Sequence, residues 1–521
     1  MQVQVTAAKC IGIDAREVTV EVEIGHGIGI HLVGLADTAV KESLLRTTTA
    51  LQALGFRIPG KKIVINLAPA DLHKNGSGYD LPIALGIIAA SEQRTLADIG
   101  RYIIMGELGL DGSVRQIPGG LSITELAMKK GFNGVILPSA SALEAAEFKD
   151  ISVFGVSSLE EALKILEAQE DTSEQLIWNT QEYRKFSRDK MHRAHKTNEI
   201  DFAEIIGQEG AKRGMEIAAA GGHNLVMVGP PGSGKSSLAK ALAGILPPMT
   251  TQEALVTSKI YSIAGTGGKH CGLIRERPFR SPHYSASLPA IIGGGGGADN
   301  IIPGEISLAQ NGVLFLDEFG QMPRSVIEAL RGPIEDRRVT ISRLKVKVDY
   351  PASFMLVAAS NPCPCGYYGE GQRCNCSPTQ RLNYLSRLSG PILDRIDIHL
   401  WMHPVDSAKI VSARKAEPSE AVAARVLKAR IAQKHRFENE TISTNAEMTN
   451  RHIEKYCRLS DACAETMTRL LDKLKLSMRA YFRIIKVART IADLEGSEDI
   501  LSKHLVEAAG YRFLDRQNFG I

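Results

Sequence analysis

No apolar run in this chain approaches the roughly 20 residues that a bilayer crossing needs, and the opening stretch MQVQVTAAKC lacks the basic-then-apolar layout of an export signal. The expectation is a cytoplasmic protein with no membrane contact. Cysteine is scarce, 8 in 521 residues, and four of those crowd between 363 and 376, so the set does not read as a disulfide framework. The excess of positive charge is also small. A net charge of +4 does not signal nucleic acid by itself, so any such binding must come from cations gathered locally. What the chain has in quantity is apolar residues, 44% of the total, and a length too great for one core, which implies roughly two to four packed domains.

The most informative stretch is GPPGSGKS at 229 to 236. Asn224–Val228 before it is a short apolar run suited to a buried parallel strand, and Ser237–Ala243 after it has helical spacing. In a strand–loop–helix setting, the glycines let backbone N–H groups converge on phosphates at the positive end of a helix. The cradle is Gly229, Pro230, Pro231, Gly232, Ser233, Gly234, Lys235, Ser236 and Ser237. Lys235 reaches the β/γ-phosphates and Ser236 ligates Mg²⁺.

Further along, Val313–Leu316 ends in Asp317-Glu318, as a central strand delivers two acids to a sheet edge. Asp317 is assigned to Mg²⁺ and Glu318 to the attacking water. The next apolar run, Phe354–Ala359, ends at Ser360-Asn361, which sets an amide beside the same edge; the alternative for Asn361 is a turn residue before Pro362. Arg395, in LDRID, and Arg479, opening the helical stretch to Ala492, are candidates to neutralise charge on the transferring phosphoryl group. Either arginine is equally readable as a surface ion pair.

Cys363-x-Cys365 and Cys374-x-Cys376 supply four thiolates within reach of one tetrahedral ion, which makes zinc a candidate against free thiols in a loop. Thr340–Val348 alternates strictly and sets Arg343, Lys345 and Lys347 on the face opposite the apolar one. Such a hairpin, set before the strand ending at Asn361, is placed to present cations to a central pore. The stretch from Arg277 to Gly304 holds Arg280, His283 and a run of glycines from 293 to 297, and reads as too flexible for a core element. Both insertions have a plainer alternative, bracing the sheet.

Taken with RPFRSPHYSAS at 277 to 287, PGEISLAQNGVLFLDEF at 303 to 319, NPCPCG at 361 to 366 and SGPILDRIDIHL at 389 to 400, the motif order resembles the Mg-chelatase-like AAA+ ATPases, in their YifB/ComM competence-protein branch. The resemblance covers essentially the whole chain. It implies ATP and Mg²⁺ as cofactors, Asn361 as first sensor, Arg395 as arginine finger, Arg479 as second sensor, and a homo-hexameric ring. It also implies that the insertions with Arg280, Arg343, Lys345 and Lys347 project toward the ring axis, where phosphates bind without sequence preference. One departure is Phe319-Gly320 after the acidic pair, where an apolar pair is expected.

The expected class is α/β, with four parts. Residues 1 to 170 form an N-terminal domain that resembles the Lon-protease-like (ribosomal S5 domain 2-like) fold, 171 to 200 a basic linker, 201 to 402 a P-loop core with a parallel sheet, and 403 to 521 a helical lid. In the first part Gly78 and Ser122 stand where the protease carries its serine and lysine, so no protease activity is expected unless Ser77 and Lys74 form a displaced dyad. The linker stretch Tyr183–Lys196 is rich in lysine and arginine and reads as solvated, with a phosphate backbone as the alternative ligand.

The resemblance implies a helicase that branch-migrates single-stranded or branched DNA in recombination and competence. A chelatase-like protein-remodelling motor is the first alternative, opposed by the absence of the D-x-S-x-S adhesion motif. An ATP-dependent protease is the second, opposed by the missing dyad.

Overall fold

The computed structural model describes residues 2–34, 38–74, 76–96, 99–146, 148–167, 200–266, 272–295, 301–343, 347–369, 373–385, 390–404 and 416–515. The basic stretch Tyr183–Lys196, Lys345 and the glycines at 296 and 297 lie outside these residues.

The amino-terminal part is built on a mixed sheet in the order β3-β4-β2-β1-β5-β8-β9. Its strands are β1 (Gln2–Ile11), β2 (Asp14–Gly25), β3 (Gly29–Val33), β4 (Lys62–Ala68), β5 (Tyr102–Ile104), β8 (Gly134–Pro138) and β9 (Ser152–Val156), with β6 (Glu107–Leu108) and β7 (Val114–Arg115) pairing as a small hairpin. The alternation predicted at Gln2–Ala8 and Val18–Ile24 is the antiparallel β1–β2 pair, with Val5 opposite Val20. Helices α1 (Thr38–Ala53), α2 (Asp80–Ala90), α3 (Gly120–Lys130), α4 (Ser139–Ala145) and α5 (Leu159–Glu167) cover the sheet. Helix α2 is buried almost all round, and it approaches the sheet so closely that a Cβ on Gly86 would stand 2.7 Å from Val22 Cγ2. That is why a glycine interrupts an otherwise aliphatic helix.

The second part is a parallel sheet in the order β11-β14-β17-β10-β18, from β10 (Leu225–Val228), β11 (Phe279–Arg280), β14 (Val313–Leu316), β17 (Met355–Ser360) and β18 (Ile398–Trp401). Strands β10, β14 and β17 are buried along their whole length, as continuous apolar runs in a sheet covered on both faces should be. The period of two sorts their side chains into two cores. Leu225, Met227, Phe315 and Val357 face one core, while Val226, Val228, Leu316 and Leu356 face the other.

The first of these cores is shared with the C-terminal helices, the expected lid. Its helices include α6 (Glu209–Gly221), α7 (Lys235–Ile245), α9 (Ser419–Arg436), α10 (Asp461–Leu474), α11 (Met478–Glu495) and α12 (Ser502–Gly510), while α8 (Thr251–Ile263) runs toward the amino-terminal part. Val426, Ile484, Ile491 and Leu505 of the lid pack with the strand residues in one continuous cluster.

The insertion from Arg277 to Gly304, expected to be flexible throughout, is in part a core element. Phe279-Arg280 is strand β11 at the sheet edge, because Val313 N donates to Pro278 O and Phe279 stacks on Phe315. Its glycines at 293 and 294 form β12, paired with β13 (Ile302–Pro303). The predicted hairpin is β15 (Arg338–Ser342) against β16 (Lys347–Pro351), with Ile341 opposite Val348. The two insertions touch each other: Tyr350 donates its hydroxyl to Ile301 O at 2.6 Å, and a Cβ on Gly293 would meet Ile341 at 3.0 Å.

The amino-terminal part rests on α8 and on this hairpin. Ile11 and Ile13, in the β1–β2 turn, join Ile263, Ile301, Ile341, Val348 and Tyr350 in a small apolar cluster. Beside it Lys259 Nζ reaches Glu125 Oε2 at 2.5 Å, and Ser262 Oγ donates to Glu144 Oε2 at 2.5 Å while accepting from Gly119 N. Glu144 is almost fully buried, and burial raises its carboxyl to about 7 even though Ser262 and Gln116 hydrogen-bond it.

Folding therefore takes up a proton at Glu144 wherever pH lies between its ordinary 4.5 and about 7. The stability this group supplies is complete below 4.5 and is lost as pH rises through 7. The Glu144→Gln chain should melt with a flatter pH dependence between pH 5 and 8. Melting curves across that range check it, and an unchanged slope assigns the dependence elsewhere.

Candidate functional site

Because the strands are parallel, β10, β14 and β17 end on one edge, the first running into the phosphate loop and the other two into a polar side chain. Gly229 follows β10, Asp317 follows β14 and Asn361 follows β17. Strand β17 lies between the other two, so Asn361 stands between the phosphate loop and the acidic pair. The glycines at 232 and 234 take φ of 77° and 88°, which turns the loop so that α7 begins at Lys235.

Lys235 is buried, and its ammonium donates to Gly229 O at 2.7 Å and Pro230 O at 2.8 Å, with Asn361 Oδ1 at 3.4 Å. Burial lowers its pKa, while Asp317 and Glu318 act in the opposite sense. Ser236 Oγ donates to Asp317 Oδ2 at 3.0 Å, so a hydroxyl and a carboxylate stand together as an oxygen pair for a hard divalent cation. Glu318 has φ of 49°, a left-handed conformation that costs a non-glycine residue about 1–2 kcal/mol. Its amide donates to Asp317 Oδ1 at 2.9 Å. The donor set fits Mg²⁺ with a polyphosphate, since cation, hydroxyl and carboxylates stand at one edge beside the start of α7.

The Phe319-Gly320 departure has a packing reason. Phe319 is fully buried, and a Cβ on Gly320 would stand 3.1 Å from Tyr384 Oη and 3.2 Å from Ser360 Oγ. Tyr384, in the helix Pro378–Leu385, is buried at this edge, which raises its pKa; sequence reasoning did not single it out.

The two arginines are held within the chain. Arg395 donates to Pro391 O at 2.7 Å and Glu335 Oε2 at 2.9 Å, and only 14% of its side chain is exposed. Arg479 is 69% exposed and pairs with Asp394 at 3.0 Å. Both are thus ion pairs in this structure, Arg395 with an acid of the helix Arg331–Asp336 and Arg479 with the residue just before Arg395. Arg280, the other cation assigned to DNA, is paired with Glu305 through two hydrogen bonds of 2.7 Å at the sheet edge. Arg343 and Lys347 are exposed at the hairpin end.

The four cysteines do gather. Cys363 Sγ lies 3.3 Å from Cys365 Sγ and 3.8 Å from Cys374 Sγ, Cys365 and Cys374 are 3.6 Å apart, and all four sulfurs fall within 4.8 Å. Tetrahedral zinc with thiolates at about 2.3 Å sets sulfurs roughly 3.8 Å apart, so the set fits such an ion. The cluster is a second site, distinct from the Ser236–Asp317 pair.

In the amino-terminal part the dyad positions do not meet. Lys74 is buried and donates to Pro69 O, Ser77 donates to Glu107, and Ser122 donates to Ile13 O at 2.7 Å. Each group is engaged with a different partner.

The stretch Ile205–Glu209, which the sequence marks as the adenine-side entry to a nucleotide pocket, stands beside a cavity of about 540 Å³ whose walls, Tyr368, Trp401, His403, Tyr511 and Phe513, sequence reasoning did not single out. Gln208 ties it to the phosphate loop, donating to Ser233 O at 3.2 Å and His403 O at 2.6 Å. The one sequence signal for those walls was Trp401, one of two tryptophans, placed at the end of β18. A second omission is the link between core and lid. Asp397 is buried, accepts from Arg483 at 2.8 Å, and is 3.0 Å from His223 Nδ1, whose Nε2 reaches Thr490 of α11 at 2.8 Å. Burial alone would raise its carboxyl; Arg483 and His223 hold it well below the usual carboxylate range.

Three family descriptions match the chain: "Magnesium chelatase, subunit ChlI" over residues 201–410, "Subunit ChlI of Mg-chelatase" over 20–141, and "Magnesium chelatase, subunit ChlI C-terminal" over 416–512. The YifB protein of Salmonella typhimurium is 43% identical, across 97% of this chain and 96% of its own length. Competence protein ComM of Haemophilus influenzae is 41% identical over the same shares. A more distant match, 24% identical over 59% of this chain and 37% of the relative, is the DNA replication licensing factor mcm-6 of Caenorhabditis briggsae.

Removing one member of a buried ion pair strands the other. Arg483→Ala should therefore lower stability by about 3 kcal/mol, read as a fall in urea midpoint. A variant as stable as the parent would mean that His223 alone satisfies Asp397.

Proposed function

Because the chain belongs to the YifB/ComM branch of the Mg-chelatase-like ATPases, a family that implies ATP and Mg²⁺, we propose that it is a ring-forming ATP hydrolase that translocates on DNA as a branch-migration helicase in recombination and natural transformation. The observation that carries the ATPase half is the meeting of Lys235, Ser236, Asp317, Glu318 and Asn361 at one sheet edge. Lys235 exchanges its two backbone carbonyls for the β/γ-phosphates, while the loop amides hold the rest of the chain of phosphates. Ser236 and Asp317 hold Mg²⁺, which neutralises charge on the β/γ-phosphates. Glu318 orients the attacking water and takes its proton, and Asn361 bridges that water and the γ-phosphate. The strained backbone at Glu318 supports this role, since such conformations persist where a side chain must be aimed.

The ring is a homo-hexamer in which Arg395 leaves Glu335 to reach a neighbour's nucleotide, and Arg479 leaves Asp394 as the lid closes. The exposed base of the nucleotide lies in the cavity beside Gln208, supported by its aromatic walls. Cys363, Cys365, Cys374 and Cys376 hold zinc as a closed structural site.

The DNA half draws on the relatives called competence protein and DNA replication licensing factor, and on the hairpin cations Arg343, Lys345 and Lys347. Residues 1 to 170 are a Lon-protease-like domain without protease activity, 171 to 200 a basic linker, 201 to 402 the motor and 403 to 521 its lid. The protein works in the cytoplasm.

Glu318→Gln should retain ATP yet hydrolyse it on the order of 10²-fold more slowly or worse, measured by phosphate release beside filter-bound nucleotide. Turnover at the parental rate removes Glu318 from the chemistry. Replacing Arg343, Lys345 and Lys347 together with alanine should weaken single-strand binding and reduce the slope of log K against log salt by about 0.7 for each phosphate no longer neutralised. Fluorescence anisotropy over a salt series reads both, and an unchanged slope leaves the hairpin without DNA.

A further inference from the structure

The segment that carries the four cysteines does more than close on itself. Gly366 is buried with φ of 86°, and a Cβ there would stand 2.9 Å from Pro231 Cδ, so this turn lies against the phosphate loop. Three residues on, a Cβ at Gly369 would stand 3.5 Å from Trp401 Cζ2, and Tyr368 between them lines the aromatic cavity. Past the last cysteine, Arg381 sits 4.4 Å over the Tyr368 ring, and Tyr384 of the same helix fills the space beside Gly320 and Ser360. One stretch of chain thus touches the phosphate loop, the cavity and the acidic edge.

The thiols are where this stretch closes on itself. Among its described residues from 363 to 376, only Cys363 and Gly366 are buried. A glycine-rich loop with so little buried surface gains its shape chiefly from whatever closes it, and a tetrahedral ion closes it at two points.

We propose that the four-cysteine centre builds one wall of the nucleotide site: an ion held by Cys363, Cys365, Cys374 and Cys376 sets the Gly366–Gly369 turn, which braces Pro231 and presents Tyr368 to the purine base. The proposal rests on the zinc and ATP readings above. Tyr368 is then a residue of base recognition, and metal loss weakens nucleotide binding without touching Lys235, Asp317 or Glu318.

The test uses the full chain, with metal content by plasma mass spectrometry and binding of a fluorescent ATP analogue, competed by ATP or by inorganic triphosphate, which has no base. The parent should hold about one zinc per chain. Tyr368→Ala should keep zinc and a parental melting temperature, lose about tenfold in ATP affinity, as removal of one base–aromatic stack does, and compete with triphosphate as the parent does. The double variant Cys374→Ser/Cys376→Ser should lose zinc and at least as much ATP affinity. Parental ATP affinity in both variants overturns the proposal and leaves the zinc reading standing. Purified parent without zinc but with full affinity overturns both. Lys235→Ala that still binds ATP as the parent does would sink the ATP reading separately.

Discussion

Among the described residues, a buried ammonium held by carbonyl oxygens with no carboxylate in direct contact is the constraint around which the parallel-sheet part is arranged. Lys235 is held by carbonyl oxygens of its own loop and an amide oxygen across the edge, while Asp317 is occupied by Ser236. Carbonyls satisfy the donors without cancelling the charge, so the ammonium stays available to an anion while Asp317 and Glu318 offset it only from a distance. That state is costly in isolation, and it requires the sheet to be parallel. Only then do the loop, the acids and the amide leave their strands on the same side.

Much of this was legible because it is local. The phosphate loop, the acid-ending strand and the hairpin each announce themselves within about ten residues, by glycine spacing or by a period of two. Side-chain partners across the fold were not legible. Nothing near Arg395 in sequence names Glu335 as its counter-ion, nor does anything near Arg280 name Glu305. The strand that carries Arg280 is only two residues long, too short to show alternation, and so it reads as part of a flexible insertion. The aromatic walls of the cavity escaped for a similar reason, since they come from Tyr368, Trp401 and Phe513, which only folding brings together.

The lid is fastened by chemistry as well as by apolar packing. Asp397 lies two residues beyond Arg395 and receives both His223 of the core and Arg483 of α11, so the loop bearing Arg395 and the helix opened by Arg479 share a buried anchor. In the proposed cycle both arginines must leave exposed or half-exposed acids, Asp394 and Glu335, while Asp397 stays paired. The acids of these two pairs are partly solvated and can lose their partners, whereas Asp397 is buried and cannot without leaving an uncompensated charge.

The seat of the β1–β2 turn on strand β16 has a consequence for how the chain can change over time. Ile11 and Ile13 pack with Val348, and a Cβ on Gly12 between them would already crowd Val348 and Asp349 at 3.1 Å. The amino-terminal part is therefore a fitted counterpart of the hairpin rather than an interchangeable appendage. A chimera that grafts this part from a distant relative inherits a mismatch at that seat unless β16 travels with it.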